Sequence, residues 1–114
     1  MEIEKLKMTI LVVEADKDPY TVTVWKQLAE LRKIIGSERL EIEEHEGALI
    51  VFNEDAIKKL LPINRYIDDK AIRGVFILTG NNALQQDFDD LTEEQIEKYK
   101  NEFALQREED MELE

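Results

Sequence analysis

Residues 8–14, Met-Thr-Ile-Leu-Val-Val-Glu, and residues 74–79, Gly-Val-Phe-Ile-Leu-Thr, restrict the fold most. Each is a short, continuous apolar run rich in β-branched side chains. A helix of that length would complete fewer than two turns, whereas a buried strand needs only such a run. Both therefore read as buried strands. The rest of the chain must supply what pairs with them and what covers them.

The neighbouring segments fit that requirement. Residues 15–19 have turn chemistry, and Pro19 ends regular structure. Residues 20–24, Tyr-Thr-Val-Thr-Val, alternate and read as a second strand antiparallel to the first. Val24, Leu28, Leu31 and Ile35 recur at the spacing of an amphipathic helix, and Gly36 stands where a C-terminal cap glycine is expected. Residues 40–44 alternate again. Glu46-Gly47 suits a hairpin turn into residues 48–52. A short helix is expected over 55–61, stopped by Pro62, and Gly80-Asn81-Asn82 should close the strand that ends at Thr79.

The last helix carries the fullest set of signals. Thr92 is a natural N-cap, Gln95 completes a capping box, and Leu91 and Ile96 form a hydrophobic staple. Glu93 and Glu94 fall in the first turn, where the helix dipole favours acids. Ile96, Tyr99 and Phe103 share one face, which should meet the sheet. The order β, β, α, β, β, short α, β, α gives an α+β fold. It is a mainly antiparallel sheet of about five strands, with two main helices and one short helix packed on one face.

A chain of 114 residues with 43% hydrophobic residues and a mean hydropathy of -0.44 suits one globular domain. Residues 1–7 read as an N-terminal extension, 8–105 as the α+β domain, and 106–114 as an acidic tail expected to fray. There is no cysteine, so disulfides and thiolate metal sites are excluded. The first residues are acidic where a signal peptide would be basic, and no apolar run approaches the ~20 residues of a membrane helix. A cytoplasmic location is the expectation.

Net charge is -12, unevenly placed. Residues 85–114 hold twelve acids and three bases, a balance of -9, leaving -3 for the rest of the chain. Such a surface repels nucleic acid and anionic membrane. A basic protein surface is the partner it suits.

Several segments in order resemble one known family: MTILVVEADKDPY, the helix ending in IIG, LEIEE, VFNED, LPINR, GVFILTG and LTEEQIEKYKNEF. The chain resembles the DUF3846 family, a domain of unknown function, over roughly residues 8–103. This sequence has Ile-Ile-Gly where the family pattern suggests a Val-Gly-Gly turn. The resemblance implies a small cytosolic domain of bacterial, phage and plasmid genomes, and it implies no chemistry.

Two groups of residues are candidate sites. Asn53, Glu54, Asn64 and Arg65 flank an apolar segment. They either anchor loops through bonds to the backbone, with Arg65 paired to Glu54 or a nearby carboxylate, or share a concave site for an anion or small ligand. Asp87, Asp89, Asp90, Glu93, Glu94 and Glu97 gather around one helix start, as an interaction surface or as a solubilising face. Asp87-x-Asp89-Asp90 lacks the glycine and the terminal glutamate of a calcium loop, so neither metal nor other cofactor is expected. The single histidine, His45, has no Ser, Cys or second His near it in sequence, and no Gly-rich phosphate loop is present. The expectation is a non-enzymatic accessory protein of a mobile element. Its acidic surface would bind a basic protein, such as a nucleic-acid-binding defence protein, in an anti-CRISPR or anti-restriction role by nucleic-acid mimicry. The alternative is a small-ligand or anion-binding module built on the Asn53, Asn64 and Arg65 loops.

Overall fold

The computed structural model describes residues 6–105. The acidic tail expected over 106–114, and residues 1–5 of the expected extension, lie outside them. The elements in chain order are β1 (Lys7–Val13), β2 (Tyr20–Trp25), α1 (Leu28–Ile35), β3 (Leu40–His45), β4 (Ala48–Asn53), β5 (Ile63–Ile67), β6 (Lys70–Arg73), β7 (Phe76–Asn82), β8 (Asp87–Asp89) and α2 (Glu93–Glu102). The main sheet runs β2-β1-β7-β4-β3, with β8 also paired to β7, and each of these pairings is antiparallel. β5 and β6 form a separate hairpin. The α+β class and the antiparallel sheet with two helices are as the sequence implies.

Strand β7 shares its length between two neighbours on one edge. Its first half, Phe76 to Leu78, pairs with Val13 to Leu11 of β1, and its second half, Gly80 to Asn82, pairs with Asp89 to Asp87 of β8. The opposite edge pairs with β4 from Val51 to Ala48. β8 therefore stops where β1 begins, and the chain must leave the sheet at Asp90. Thr9 holds this junction. Its N–H donates to Asp90 Oδ1 at 2.7 Å, and its carbonyl accepts from the Leu91 N–H at 3.1 Å.

The pleat sends alternate side chains to opposite faces, and both faces are covered. Leu11, Val13, Ile50, Phe52, Phe76 and Leu78 meet Leu91, Tyr99 and Phe103 of the α2 region, with Ile72 from the β5-β6 hairpin. Met8, Ile10, Val51 and Ile77 meet Leu31 and Ile35 of α1. The expected single covered face is thus corrected: α1 and α2 lie on opposite faces. The two buried runs contain the reason. Apart from Thr9 and Thr79, odd and even positions of residues 8–13 and 76–79 are apolar alike, so a helix on one side would leave about half of them in water.

Other expectations also change. The helix over 55–61 is a chain of turns. A single i to i+4 bond forms, from the Lys59 N–H to the Asp55 carbonyl, before Leu60 adopts a left-handed backbone (φ 57°) and closes it. Val24 belongs to β2, so its place on the helical stripe is a coincidence of spacing. Gly80-Asn81-Asn82 continues β7 instead of ending it. The β5-β6 hairpin and β8 were not legible as strands, and the main sheet has six strands rather than five. Leu6 and Lys7 are part of the fold, since Lys7 pairs with Trp25 and the Leu6 carbonyl accepts from the Lys26 N–H at 2.7 Å.

The terminal signals of both helices are realised. Gly36 takes the left-handed cap conformation (φ 80°) and returns its N–H to the Arg32 carbonyl at 2.7 Å. Thr92 and Gln95 form both bonds of a capping box, each at 3.0 Å.

Gly80 is required for a different reason. A Cβ there would stand 2.0 Å from the Asp90 carbonyl oxygen, where the chain leaving β8 crosses β7. Because the obstacle is backbone, no side-chain rotation relieves it. Gly80→Ala is expected to destabilise the fold by about 2–3 kcal/mol, read as a fall in the urea midpoint. Gly36→Ala, at a position with open space, should cost only about 1 kcal/mol.

Candidate functional site

Asn64 and Arg65 lie on β5, at the point where the β1-β2 turn, the start of β7 and the end of α2 converge. Asn64 Nδ2 donates to the carbonyls of Val13 and Gly74, both at 2.9 Å. Arg65 Nε donates to the Phe103 carbonyl at 2.9 Å, just past the end of α2. Its Nη2 donates to the Lys17 carbonyl at 2.8 Å, and its Nη1 to the Ala15 carbonyl at 3.3 Å and to Asn64 Oδ1 at 2.6 Å. One guanidinium thus ties the C-terminal end of α2 to the β1-β2 turn. Burial lowers the Arg65 pKa from its ordinary value, and Asp18 and Asp16 oppose that shift. Carbonyl dipoles and those two acids together make the site suitable for a cation that stays in place.

Asn53 works alone on the other side of the apolar segment. Its side chain is 3% exposed, and Oδ1 accepts from the Asp55 N–H at 2.8 Å, forming an Asx turn. Glu54 is paired with Arg39 at 3.4 Å, and Arg39 also reaches Asp55 at 3.5 Å. Of the carboxylates expected near Arg65, Glu54 is not one, since it pairs with Arg39; Arg65 donates to backbone carbonyls, with the charges of Asp18 and Asp16 close to it. Nor does a shared concavity unite the set. Asn53 and Glu54 line a depression of about 110 Å³ with Phe52, Ala56 and Arg73, to which Asn64 and Arg65 do not contribute. Of the two readings of these four residues, the bonds match loop anchoring.

The six acidic candidates divide in two. Asp87 pairs with Lys26 at 3.4 Å and accepts from the Phe88 N–H; Asp89 accepts from the Asp90 N–H, and Asp90 from the Thr9 N–H. These three serve the β8 junction. Glu93, Glu94 and Glu97 are exposed, and their side chains make no hydrogen bond or ion pair with a described residue. At 100° per residue they span about 100° of arc on the side of α2 opposite Tyr99 and Phe103. The helix below them is fixed by the buried Tyr99, whose hydroxyl donates to the Glu46 carbonyl at 2.9 Å.

A further group was missed in the sequence because its members are far apart. His45 Nε2 lies 3.0 Å from Glu102 Oε2 and 3.8 Å from Glu46 Oε2, a set close enough for a metal. Lys98 Nζ, however, lies 2.6 Å from Glu46 Oε1 and supplies the cation there. The Lys98 hydrogen bond holds the Glu46 carboxyl below its ordinary pKa, and Glu46 raises that of Lys98 in return. With the His45 ring also tilted against the Tyr99 ring at 5.9 Å, this group ties α2 to the β3-β4 hairpin.

The family model for DUF3846, a domain of unknown function, matches residues 8–104. The chain belongs to the DUF3846 family. The matched span contains the Asn64-Arg65 clamp, the Gly80 crossing and the whole of α2, so these features belong to the DUF3846 domain itself. Neither the curated proteins nor the solved structures contain a match to the chain. Among the described residues, no helix is long and apolar enough to cross a membrane.

Two outcomes check this geometry. Arg65→Met keeps the apolar stem but removes every donor, leaving the Phe103 and Lys17 carbonyls without their partner. We expect a loss of about 2–3 kcal/mol in chemical denaturation, with faster hydrogen exchange at the end of α2. Tyr20 donates to Glu14, and that hydrogen bond, with burial and the Glu14 charge, raises the Tyr20 pKa to about 12. A phenol held above its unfolded pKa of about 10 stabilises the fold fully below that value and loses the contribution as pH rises towards 12. Denaturation midpoints measured between pH 9 and 12 should fall less steeply in Tyr20→Phe than in the parent.

Proposed function

We propose that this DUF3846 protein is a non-enzymatic accessory that docks on a basic protein surface through the outward arc of α2. One observation carries the reading. The side chains of Glu93, Glu94 and Glu97 have no hydrogen-bond or ion-pair partner among the described residues, although Asp87, Asp89 and Asp90 beside them all do. Three carboxylates on a capped, anchored helix present fixed negative charge at little ordering cost, which favours a cationic partner through steering and complementarity. Binding that relied on the side chains of a mobile segment would lose more entropy.

The concrete form of the proposal is an inhibitor from a mobile element acting on a nucleic-acid-binding defence protein. Clustered carboxylates imitate the phosphate spacing of a nucleic acid, about one charge per 1.7 Å of duplex axis. The anion-binding alternative draws no support from the bonding pattern, because the donors of Asn64 and Arg65 are engaged by carbonyl oxygens.

The test is affinity capture of host defence complexes with the parent protein and with two triple variants at Glu93, Glu94 and Glu97, one to Gln and one to Lys. Graded loss of at least about tenfold per variant, steeper at low salt, is the expected result. Capture that survives reversal of all three charges rules out the α2 arc as the interface. Circular dichroism controls for the helix, since first-turn acids contribute about 0.3–1 kcal/mol each through the dipole.

A further inference from the structure

Among the described residues, β2, β3 and the short β8 each have one neighbour in the sheet, and β3 is bordered differently on its two faces. Its outward backbone groups follow from the hairpin. Glu46 and Gly47 both take positive φ (49° and 89°), forming a two-residue turn of the primed type. In such a turn the flanking pair, His45 and Ala48, exchanges both ladder bonds, and the exchange recurs at every second residue. The Glu54 N–H to Arg39 carbonyl bond at 3.0 Å continues the same odd-numbered pattern. Leu40, Ile42 and Glu44 therefore turn their N–H and C=O groups away from β4. No strand among the described residues pairs with that side.

On the α1 face of this edge is an apolar pocket of about 270 Å³ lined by Ile42, Leu49 and Phe88, with Asn81 and Asp87. α1 is only eight residues long and leaves this end of the face uncovered, so Ile42 remains 44% exposed. On the α2 face is an open groove of about 480 Å³ lined by Glu43, His45, Asp68, Asp69 and Lys70. The Lys70 ammonium already sits on Glu43 there, so the groove accepts a cation. Glu41 lies on the same face, exposed and without an ion pair to a described residue.

We propose that β3 is a strand-addition site for an extended segment of a partner protein in which basic and apolar residues alternate. Residues of a guest strand opposite Ile42 project towards the Ile42–Leu49–Phe88 pocket. Those opposite Glu41 and Glu43 project over the acidic groove. The open backbone edge supplies affinity, and the two unlike faces read the alternation. A second copy of this chain fits poorly, because pairing β3 with β3 would set glutamates against glutamates. The inference concerns a different surface from the α2 arc and stands independently of it.

The probe is a fluorescein-labelled short peptide of alternating lysine and valine, titrated by anisotropy at neutral pH. Its control is the same peptide with alternate backbone nitrogens methylated, which preserves charge and removes ladder donors. We expect saturable binding that is at least about tenfold weaker for the methylated peptide. Ile42→Asp and Glu41→Lys, both on an exposed edge, should each weaken it several-fold. Amide exchange should slow at Leu40, Ile42 and Glu44 and stay unchanged across β2. The Glu93, Glu94 and Glu97 triple variant should bind as the parent does. Equal binding of both peptides, protection on β2 instead of β3, or no binding would each overturn the proposal and leave the α2 reading to its own test.

Discussion

Phe76, Ile77, Leu78 and Thr79 have no exposed surface, and the strand they form is bonded along both edges. Every larger feature of the molecule answers to that arrangement. A strand buried on both faces needs an apolar layer above and another below, which puts α1 and α2 on opposite sides. It also needs every backbone group paired, because water cannot reach them. β4 completes one edge, while β1 and β8 divide the other. The crossing at Asp90 follows from this division, and Gly80 is the residue that admits it.

The layers would still be loosely joined without the polar ties. Asn64 and Arg65 bind carbonyls from β1, its following turn, the residue after β6 and the residue after α2. Few side chains could do this. A guanidinium presents several donors in a fixed fork, and an amide adds two more beside it. The ties explain why so polar a pair stands in the middle of the fold: its donors reach carbonyls from four separate segments. His45, Glu46, Lys98 and Glu102 make a second, more exposed tie between α2 and the β3-β4 hairpin.

Functional potential is then left to groups that the fold does not use. The β8 acids are engaged by backbone amides and Lys26, and the Asn and Arg loops by carbonyls. Among the described residues, the outward glutamates of α2 have no such partner and no strand pairs with the outer edge of β3, although Lys70 and Asn81 reach Glu43 and Glu44 there. Both surfaces carry acidic side chains, and the two proposals made above rest on them. They differ in what they could recognise. A helix face offers charge alone, whereas a strand edge adds direction and register.

Much was readable from local pattern. The two continuous apolar runs, the Glu46-Gly47 turn, the Gly36 cap and the Thr92-Gln95 box each depend on residues within one turn or one strand, so composition and spacing determine them. The charge imbalance towards the C-terminal quarter is likewise a property of sequence alone. What needed the tertiary structure was every relation between distant residues. The 55–61 helix failed because Leu60 turns left-handed, a choice made by where the chain goes next and not by its propensity. The β5-β6 hairpin escaped notice because Asn64 and Arg65 interrupt its alternation for the sake of carbonyls far away in sequence. Which of six clustered acids gained a partner among the described residues was decided partly in the same way, by the Thr9 amide and the Lys26 ammonium carried to Asp90 and Asp87 from other segments.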